Sequence, residues 1–435
     1  MKLAVVVQRY GADISGGAEL HARYIAERLA KHAQVEVLTT CARDYISWKN
    51  ELPAGEETVN GVKVRRFPVS RPRSTDEFGR LSAIVFDRPH SIADELRWLD
   101  SEGPTSPSLI RHIAASSASY DFFIFFSYRY YHAWHGVRAV AAKSLLVPTA
   151  ERDSAVALGI FQPIFRGVRA IMHNSFEERA LIQAVSGRQG PNVVVGVGSD
   201  IPDRTQPWNF RKKFNVKRPF AIYIGRIDEN KGCRELFSHF ERYSVMNPSG
   251  LDLVLVGSKV IDIPKHPRIR HVGFLSDQDK FDALAAADAL IMPSPYESLS
   301  MVALEAWALG KPVLANGRCD VLKGQCIRSR AGLYYESYEE FVEALYALES
   351  NGPLHDRLGR NGREYFASHY AWPVIERKYL DMFARLQAEP APARAMEPLP
   401  GWFARRRKDC RAAASVLADL PAGATIDRAE TARSA

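Results

Sequence analysis

The chain has 435 residues, more than the roughly 250 to 300 at which a single hydrophobic core stops growing, so two domains are expected. Its 46% hydrophobic and 25% charged residues exclude wholesale disorder and fibrous repeats. No apolar run approaches the ~20 residues that span a bilayer. Five scattered cysteines argue against a disulfide framework or a zinc site, and a formal charge of +8 favours an anionic partner of unspecified kind.

Short apolar runs alternate with helical patterns along the first half, which is typical of strand-helix-strand units on a buried parallel sheet. The first run, in MKLAVVVQRY, is too short for a signal peptide and is interpreted as a strand, so the protein is expected to stay in the cytoplasm. Asn60-Gly61 predicts a two-residue hairpin. The predicted strands of this half span residues 2–7, 35–39, 122–127, 145–149 and 170–173.

The same alternation returns in the second half of the chain. Its predicted strands span residues 220–224, 251–256, 269–272, 289–292, 312–315 and 332–335. The domain boundary is expected near Gly198, where an apolar run gives way to Gly, Asp and Pro. The predicted fold class is therefore α/β, with doubly wound, Rossmann-like domains at 1–198 and 199–370 that face each other across a cleft and bind ligands at the carboxyl ends of their sheets.

The remainder of the chain is predicted to contain a helix and a tail. Residues 371–388 have a helical pattern and are expected to pack back on the first domain. Residues 389–435 read as a proline-rich linker and a basic tail. Within the tail, Trp402-Phe403 precedes Arg405-Arg406-Arg407-Lys408, which is either a solvated segment or a peripheral contact with anionic lipid on the inner face of the membrane.

The strongest chemical signal is PSPYESLSMVALEAWALGKPVLA, residues 293–315. Glu297 precedes a predicted helix that starts near Ser300 and carries Glu305, an acid in an otherwise apolar helix. The first amides of this helix, those of Ser300, Met301 and Val302, could receive a phosphate. Glu297 could accept hydrogen bonds from sugar hydroxyls and Glu305 from a ribose, whose diol would supply a partner. The alternative is that Glu297 caps the helix and Glu305 lies on the surface.

The second signal is YIGRIDENKG, residues 223–232. A predicted strand ends in Gly225, Arg226 follows at once, and Lys231 comes just before a helix. An arginine fork and a lysine point charge at the carboxyl end of one strand suit a diphosphate. The alternative is a turn in which Arg226 pairs with Asp228 while Lys231 is solvated.

Together these two segments resemble the retaining glycosyltransferases of family 4, which belong to the glycosyl transferases group 1 and have the GT-B fold. The resemblance covers about residues 1–388. It implies that Arg226 and Lys231 bind the donor diphosphate, that Glu297 holds the transferred sugar and that Glu305 holds the ribose.

The resemblance also implies roles for three further segments. Residues 272–275, with Val272 and Phe274, would pass the base, and the glycine-rich turn GADISGG would place Gly16 and Gly17 near the diphosphate across the cleft. Many members have a histidine near the sugar in the first domain, but the matching stretch VPTAERDSAV has none. The residues considered in its place are Glu151 and Arg152, or Tyr128, Arg129 and His132 of SYRYYHAWH; the contact could also be absent.

The resemblance implies a retaining hexosyltransferase that transfers a sugar from a nucleoside-diphosphate-sugar, a substrate and not a cofactor, to an unidentified hydroxyl acceptor in polysaccharide or glycolipid synthesis at the cell surface. No nucleic-acid partner is expected. No metal is expected either, because Asp277-Gln278-Asp279 after Ser276 reads as a helix cap. Two alternatives remain open: a sugar-nucleotide epimerase or hydrolase, and a non-enzymatic sugar-nucleotide-binding protein.

Overall fold

The computed structural model describes residues 1–14, 16–390, 396, 399 and 413–420. It consists of two units, Met1–Glu397 and Pro398–Ala435. The second unit contributes a short helix, Ala413–Ala418, and the first contains every other element given below. Of the linker and basic tail predicted at 389–435, the structure describes residues 389–390, 396, 399 and 413–420, and the Trp402-Phe403 pair and the arginine cluster after it lie outside the described residues.

In the described part of the first unit, eight strands form the first sheet. They are β1 Lys2–Val6, β2 Gln34–Thr40, β3 Gly55–Val59, β4 Val62–Phe67, β5 Phe122–Phe126, β6 Ser144–Val147, β7 Ala170–His173 and β8 Asn192–Val194. Their order is β3-β4-β2-β1-β5-β6-β7-β8, and all neighbours are parallel except β3 and β4. That antiparallel pair is the predicted hairpin, with positive φ at Asn60 and Gly61. Strand β5 is buried along its whole length, as both faces of a parallel sheet are covered.

Seven α-helices are described between these strands. They are α1 Gly17–Leu29, α2 Thr75–Asp87, α3 Ile92–Glu102, α4 Pro107–Ala115, α5 Tyr131–Ala139, α6 Gln162–Gly167 and α7 Phe176–Ser186. The sequence analysis did not identify α2, α3 and α4, which lie between β4 and β5. Local signals mark their starts: Ser74 and Ser91 cap α2 and α3 through their side chains, and Pro107 opens α4.

The second sheet has six strands among the residues that the structure describes. They are β9 Phe220–Ile224, β10 Asp252–Val256, β11 Ile269–His271, β12 Ala289–Met292, β13 Val313–Asn316 and β14 Gly332–Tyr335, in the all-parallel order β11-β10-β9-β12-β13-β14. The accompanying helices are α8 Pro207–Lys213, α9 Cys233–Met246, α10 Asp277–Ala286, α11 Met301–Ala308, α12 Asp320–Ser329, α13 Tyr338–Ser350, α14 Gly352–His369 and α15 Trp372–Ala388. The two sheets therefore lie on either side of the predicted boundary near Gly198.

Helix α15, within the predicted helical segment 371–388, returns to the first sheet. The ring of Phe383 stacks on Phe122 of β5 at 5.6 Å between centroids, and Arg169 donates a hydrogen bond to the Leu386 carbonyl at 2.6 Å. One buried apolar cluster contains residues of the first sheet, of the connecting segment and of the second domain. The two domains are thus packed together within the first unit.

The strand order reverses at β1 in the first sheet and at β9 in the second. Open α/β sheets bind ligands at such points, outside the carboxyl ends of the strands. Side chains that follow these ends meet across the domains: Arg226 Nη1 lies 3.4 Å from the Tyr45 hydroxyl, and Arg152 pairs with Asp320 at 3.0 Å. The cleft between the two sheets is therefore the expected ligand-binding region.

Among the described residues, no helix combines the length and apolar character needed to cross a membrane. Cys41, Cys233, Cys319 and Cys326 are free, buried thiols, and Cys410 lies outside the described residues.

Candidate active site

Lys231 and Glu297 meet at the centre of the second domain's carboxyl edge, with Nζ and Oε1 2.8 Å apart. They follow β9 and β12, which are neighbours in the sheet, so their loops end side by side. Gly232, at φ +73, allows this approach, because a Cβ there would lie 2.2 Å from the Pro293 carbonyl oxygen. Burial alone would lower the pKa of Lys231, but the Glu297 carboxylate outweighs burial and the pKa is raised. A partly buried, charged ion pair therefore faces the cleft.

Arg226 lies beside this pair and is exposed. Its Nε donates to the Asp228 carboxylate, and Nη1 reaches the Tyr45 hydroxyl of the first domain. Asp228 also accepts the Lys231 backbone N–H at 2.9 Å. The turn pair considered as an alternative is thus present, but Lys231 is not simply solvated, since it binds Glu297. Asp228 organises the turn that holds both cations at one edge of the sheet.

Helix α11 begins at Met301 after Ser300, whose backbone has φ 70. The Ser300 hydroxyl accepts the Ala303 N–H at 3.4 Å, so the cap is Ser300 and not Glu297. The N–H groups of Met301 and Val302 belong to the first turn, where they point away from the helix and are available to an anion. The helix start and the Lys231–Glu297 pair together form a site suited to a phosphate group.

Glu305 is only 2% exposed, which corrects the alternative that it lies on the surface. Its Oε1 accepts hydrogen bonds from Lys280 Nζ at 2.9 Å and from the Ser199 hydroxyl at 2.8 Å. Its Oε2 has no hydrogen-bond partner within the described part of the chain. The expectation that a ribose diol would have to satisfy this carboxylate therefore applies to one oxygen, because the protein already satisfies the other. Lys280 and Ser199 were not found from the sequence.

Two of the predicted glycines, Gly16 and Gly225, lie where the backbone comes close to other atoms, whereas a Cβ on Gly17 would meet nothing within 4 Å. A Cβ on Gly257 would lie 2.0 Å from the Gly225 carbonyl oxygen, so the ends of β9 and β10 have no room for side chains there. Gly16 precedes α1, and a Cβ on it would lie 2.3 Å from a Glu19 carboxylate oxygen. Gly17 is the first residue of α1. Both glycines follow β1, on the first domain's side of the cleft.

The segment predicted to pass the base follows β11. Val272 is partly buried, its N–H donates to the Leu255 carbonyl at 3.0 Å, and Gly273 then turns the chain with φ +80. Phe274 is 77% exposed. An exposed aromatic ring at the carboxyl edge of the sheet is available to a planar base, and this role stays a prediction.

Glu151 lies on the opposite wall, after β6, and lines the cleft together with Tyr296 and Glu297. Among the residues that the structure describes, its carboxylate has no hydrogen-bond or ion-pair partner. Burial raises the pKa of Glu151 to about 7, and the nearby Glu297 carboxylate adds to the shift. The neighbouring Arg152 side chain is 76% exposed and pairs with Asp320.

The other residues considered for this wall are held within the first domain. Tyr128 is buried, and His132 is fully buried with Nε2 2.9 Å from the Phe126 carbonyl oxygen. Burial lowers the pKa of His132 to about 4. Arg129 binds Glu102 and Asp153, each at 2.9 Å. Because these three side chains are held inside the first domain, Glu151 is the favoured candidate for a ligand contact on this wall.

Glu178 is a buried acid that the sequence analysis missed. It is 1% exposed, and its two oxygens accept the backbone N–H groups of Ala150 and Asn174, each at 2.6 Å. Burial raises the pKa of Glu178 to about 8, although both amides favour the ionised form. A Ser-x-x-Glu pattern from Ser175 to Glu178 was the available signal, since it marks helix starts.

The Asp277-Gln278-Asp279 stretch acts as a helix start. The Ser276 hydroxyl accepts the Asp279 N–H at 3.2 Å, and Lys213 pairs with the Asp279 carboxylate at 2.7 Å. In the described ranges, no group of three or more His, Cys, Asp or Glu side chains is arranged to hold a metal ion.

Comparisons with known proteins bear on the whole first unit. Residues 205–365 match the family model described as glycosyl transferases group 1. The chain is 21% identical over 421 residues to alpha-maltose-1-phosphate synthase of Mycobacterium tuberculosis, covering 89% of this chain and 100% of that protein. It is 23% identical over 416 residues to D-inositol 3-phosphate glycosyltransferase of Corynebacterium urealyticum, covering 88% and 94%.

Solved structures show the same fold. The crystal structure of Anabaena Alr3699/HepE in complex with UDP superposes with a TM-score of 0.64 at 14% identity, over 88% of this chain and all of that one. The α/β architecture predicted from the sequence, with two Rossmann-like domains, is confirmed. Residues 205–365 thus resemble the glycosyl transferases group 1, and the chain has the GT-B fold.

Proposed function

We propose that this glycosyltransferase moves a hexose from a nucleoside-diphosphate-sugar to a hydroxyl acceptor with retention of anomeric configuration and without a metal ion. The observation that carries the proposal is the Lys231–Glu297 pair beside the first turn of α11. It combines a cation for a leaving diphosphate with a carboxylate for sugar hydroxyls in one place.

The donor side is supported by the charges at the carboxyl edge of the second sheet. Lys231, Arg226 and the first amides of α11 would hold the diphosphate, and the open Oε2 of Glu305 would accept a ribose hydroxyl. Hydrogen bonds to charged groups are the strong ones, and here they act in a cleft partly shielded from water. The UDP bound to the Anabaena relative supports a nucleoside diphosphate as the donor's leaving group.

The reaction requires the bond between the sugar carbon and the phosphate oxygen to break while a bond to the acceptor oxygen forms. Negative charge then grows on the diphosphate, where Lys231 and the helix amides stabilise it more strongly than in the ground state. The acceptor hydroxyl attacks from the face that the diphosphate leaves, and its proton passes to the departing phosphate oxygen. Retention follows without an enzymic nucleophile.

On the first domain's wall, Glu151 would make the sugar contact for which a histidine was expected. Its partnerless carboxylate faces Glu297, whereas Arg152 turns to Asp320 and His132 is buried. An ionised carboxylate accepts hydrogen bonds at both oxygens, whereas the protonated form has an O–H donor at one of them, so Glu151 would accept from two sugar hydroxyls in its ionised form. The acceptor belongs, in this proposal, to polysaccharide or glycolipid synthesis at the cell surface; peripheral membrane contact through the basic tail stays a prediction.

A panel of nucleoside-diphosphate-sugars tests the proposal. The true donor stabilises the fold, by about 2.7 kcal/mol at a concentration 100 times its Kd. Turnover with candidate acceptors, in the presence and absence of a chelator, should give a product whose anomeric coupling constant in NMR matches that of the donor. An inverted product contradicts retention, and loss of turnover with the chelator contradicts metal independence.

Donor alone provides the control for the two alternatives. Complete consumption of donor without any acceptor would point to an epimerase or hydrolase. Binding of donor with no turnover against any acceptor would point to a sugar-nucleotide-binding protein.

A further inference from the structure

Glu178 occupies the third position of α7 and forms a local cap with the residues around it. Its backbone N–H donates to the Ser175 hydroxyl at 3.1 Å, and one carboxylate oxygen accepts the Asn174 N–H at 2.6 Å. Such an arrangement satisfies donors that a helix start would otherwise leave unpaired. Taken alone, it would be an ordinary helix cap.

The second domain contains the same cap, which allows a direct comparison. In α13 the Glu340 N–H donates to the Ser337 hydroxyl at 3.2 Å, and the Glu340 carboxylate accepts the Glu336 N–H at 2.6 Å. Both caps read Ser-aromatic-Glu-Glu in the sequence. Glu340 is exposed, however, whereas Glu178 is 1% exposed. Capping therefore does not require burial.

What distinguishes Glu178 is its second hydrogen bond. Its other oxygen accepts the N–H of Ala150, 28 residues earlier in the chain, at 2.6 Å. Ala150 follows β6 and Asn174 follows β7, and these strands are neighbours in the sheet. One buried carboxylate thus ties together the segments that leave two adjacent strands. Burying a charge is unfavourable unless it is well hydrogen-bonded, so this arrangement has a cost that Glu340 avoids.

Both segments face the loop that carries Glu297. Ala150 is followed directly by Glu151, the partnerless carboxylate of the cleft wall. Asn174 Nδ2 lies 3.5 Å from the hydroxyl of Ser298, the residue after Glu297. The two segments that Glu178 holds thus carry Glu151 and contact the loop of Glu297.

We propose that Glu178 is a positioning residue for sugar transfer: by holding the amides of Ala150 and Asn174, it fixes Glu151 against the transferred sugar, opposite Glu297. The inference rests on the proposed function, since it assigns Glu178 a part in that reaction. Glu178 itself contacts no substrate; it acts through Glu151. A misplacement of about 1 Å in a catalytic group can reduce a rate by about 100-fold, which is the scale of effect available to such a residue.

Glu178→Gln tests the proposal, with Glu340→Gln as the matched control. A carboxamide accepts one of the two amides, but its NH₂ group meets the other N–H, so the tie is broken. We expect kcat/KM for transfer to fall about 10- to 100-fold in Glu178→Gln. Glu340→Gln should stay within about twofold of the wild type, as expected for a surface change. Nucleoside-diphosphate affinity, measured by calorimetry, should be unchanged in both.

Coupling to Glu151 distinguishes positioning from a general loss of structure. Sites that act as one unit are non-additive, so Glu151→Ala combined with Glu178→Gln should be no slower than the slower single variant. The proposal is overturned if the two losses multiply, if Glu178→Gln is as active as Glu340→Gln, or if it weakens nucleoside-diphosphate binding as much as transfer. Glu178→Asp, whose shorter side chain cannot span both amides, replaces Glu178→Gln should the latter not fold.

Amide hydrogen exchange provides a readout that needs no activity. The Ala150 and Asn174 amides should exchange at least about tenfold faster in Glu178→Gln, and neither should change in Glu340→Gln. Unchanged exchange at Ala150 would overturn the positioning role. If the wild type transfers no sugar at all, the proposed function fails, and faster exchange without any transfer likewise overturns a role for Glu178 in the reaction.

Discussion

The acidic side chains on the two walls of the cleft have different hydrogen-bond partners. On the second domain's wall, Glu297 and Glu305 each accept a hydrogen bond from a lysine, at 2.8 and 2.9 Å. On the first domain's wall, Glu151 has no hydrogen-bond or ion-pair partner among the described residues. Glu178 accepts its two hydrogen bonds from backbone amides, and the His173 ring nitrogen Nδ1 lies 3.8 Å from one of its oxygens. Burial raises the pKa of both first-domain acids, to about 7 and about 8. The second domain's wall thus carries cations that suit an anion, whereas the ionised form of the acids on the first domain's wall is disfavoured by burial.

The largest loss of activity is expected for substitutions of the Lys231–Glu297 pair on the second domain's wall. Lys231→Ala and Glu297→Ala should each reduce kcat by about 1,000-fold or more, because they remove a group that acts on charge developing in the transition state and leave its partner unpaired. Circular dichroism should show an intact fold. Lys63→Ala, which removes the pair with Glu56 at 2.9 Å and a longer one with Glu36 at 3.8 Å, both away from the cleft, is the control. Full activity in either site variant would refute the site.

Glu305→Ala tests the second lysine-bound acid of the same wall. It should weaken nucleoside-diphosphate binding by about 10- to 100-fold, the scale for losing hydrogen bonds to a charged group, and change kcat less. Calorimetry measures the affinity directly. Lys213→Ala, which removes the exposed pair with Asp279, serves as the control on the same domain. An unchanged affinity in Glu305→Ala would rule out the ribose role.

Glu151, the acid on the first domain's wall without a partner among the described residues, should make kcat/KM for transfer depend on pH. Because the pKa of Glu151 is raised to about 7, its carboxylate ionises as the pH rises through that value. If the ionised form accepts a sugar hydroxyl, kcat/KM should increase through about pH 7, and Glu151→Gln should lose this limb while keeping the rest of the profile. If the increase in kcat/KM persists in Glu151→Gln, a group other than Glu151 causes it.

The smallest effect concerns stability. The pKa of Glu151 rises from 4.5 to about 7 in the folded protein, so the folded state binds the proton more tightly than the unfolded state. The stability that this provides is present below pH 4.5 and is lost as the pH rises through about 7. Glu151→Gln should therefore gain stability relative to the wild type at pH 8 compared with pH 5, as measured by urea unfolding. If the free energies of unfolding of Glu151→Gln and the wild type differ by the same amount at both pH values, the raised pKa of Glu151 is contradicted.

Much of the fold was predictable because buried parallel strands read as short apolar runs bounded by turn residues. The strands Phe220–Ile224, Ala289–Met292 and Gly332–Tyr335 were predicted to the residue. Helices α2, α3 and α4 were not, since their mixed apolar and polar sequence breaks the simple strand-helix alternation. Their polar caps at Ser74 and Ser91 were the evidence available.

For the site, the sequence by itself determined which side chains could carry the chemistry. Lys231, Glu297 and Glu305 stand out because a charge next to a buried strand or inside an apolar helix needs a reason. Only the tertiary structure decided what each of them binds. Lys231 meets Glu297 across 66 residues, Ser199 meets Glu305 across 106, and Glu178 meets Ala150 across 28. No local periodicity encodes such contacts, because they depend on which strand ends lie side by side in the folded sheets.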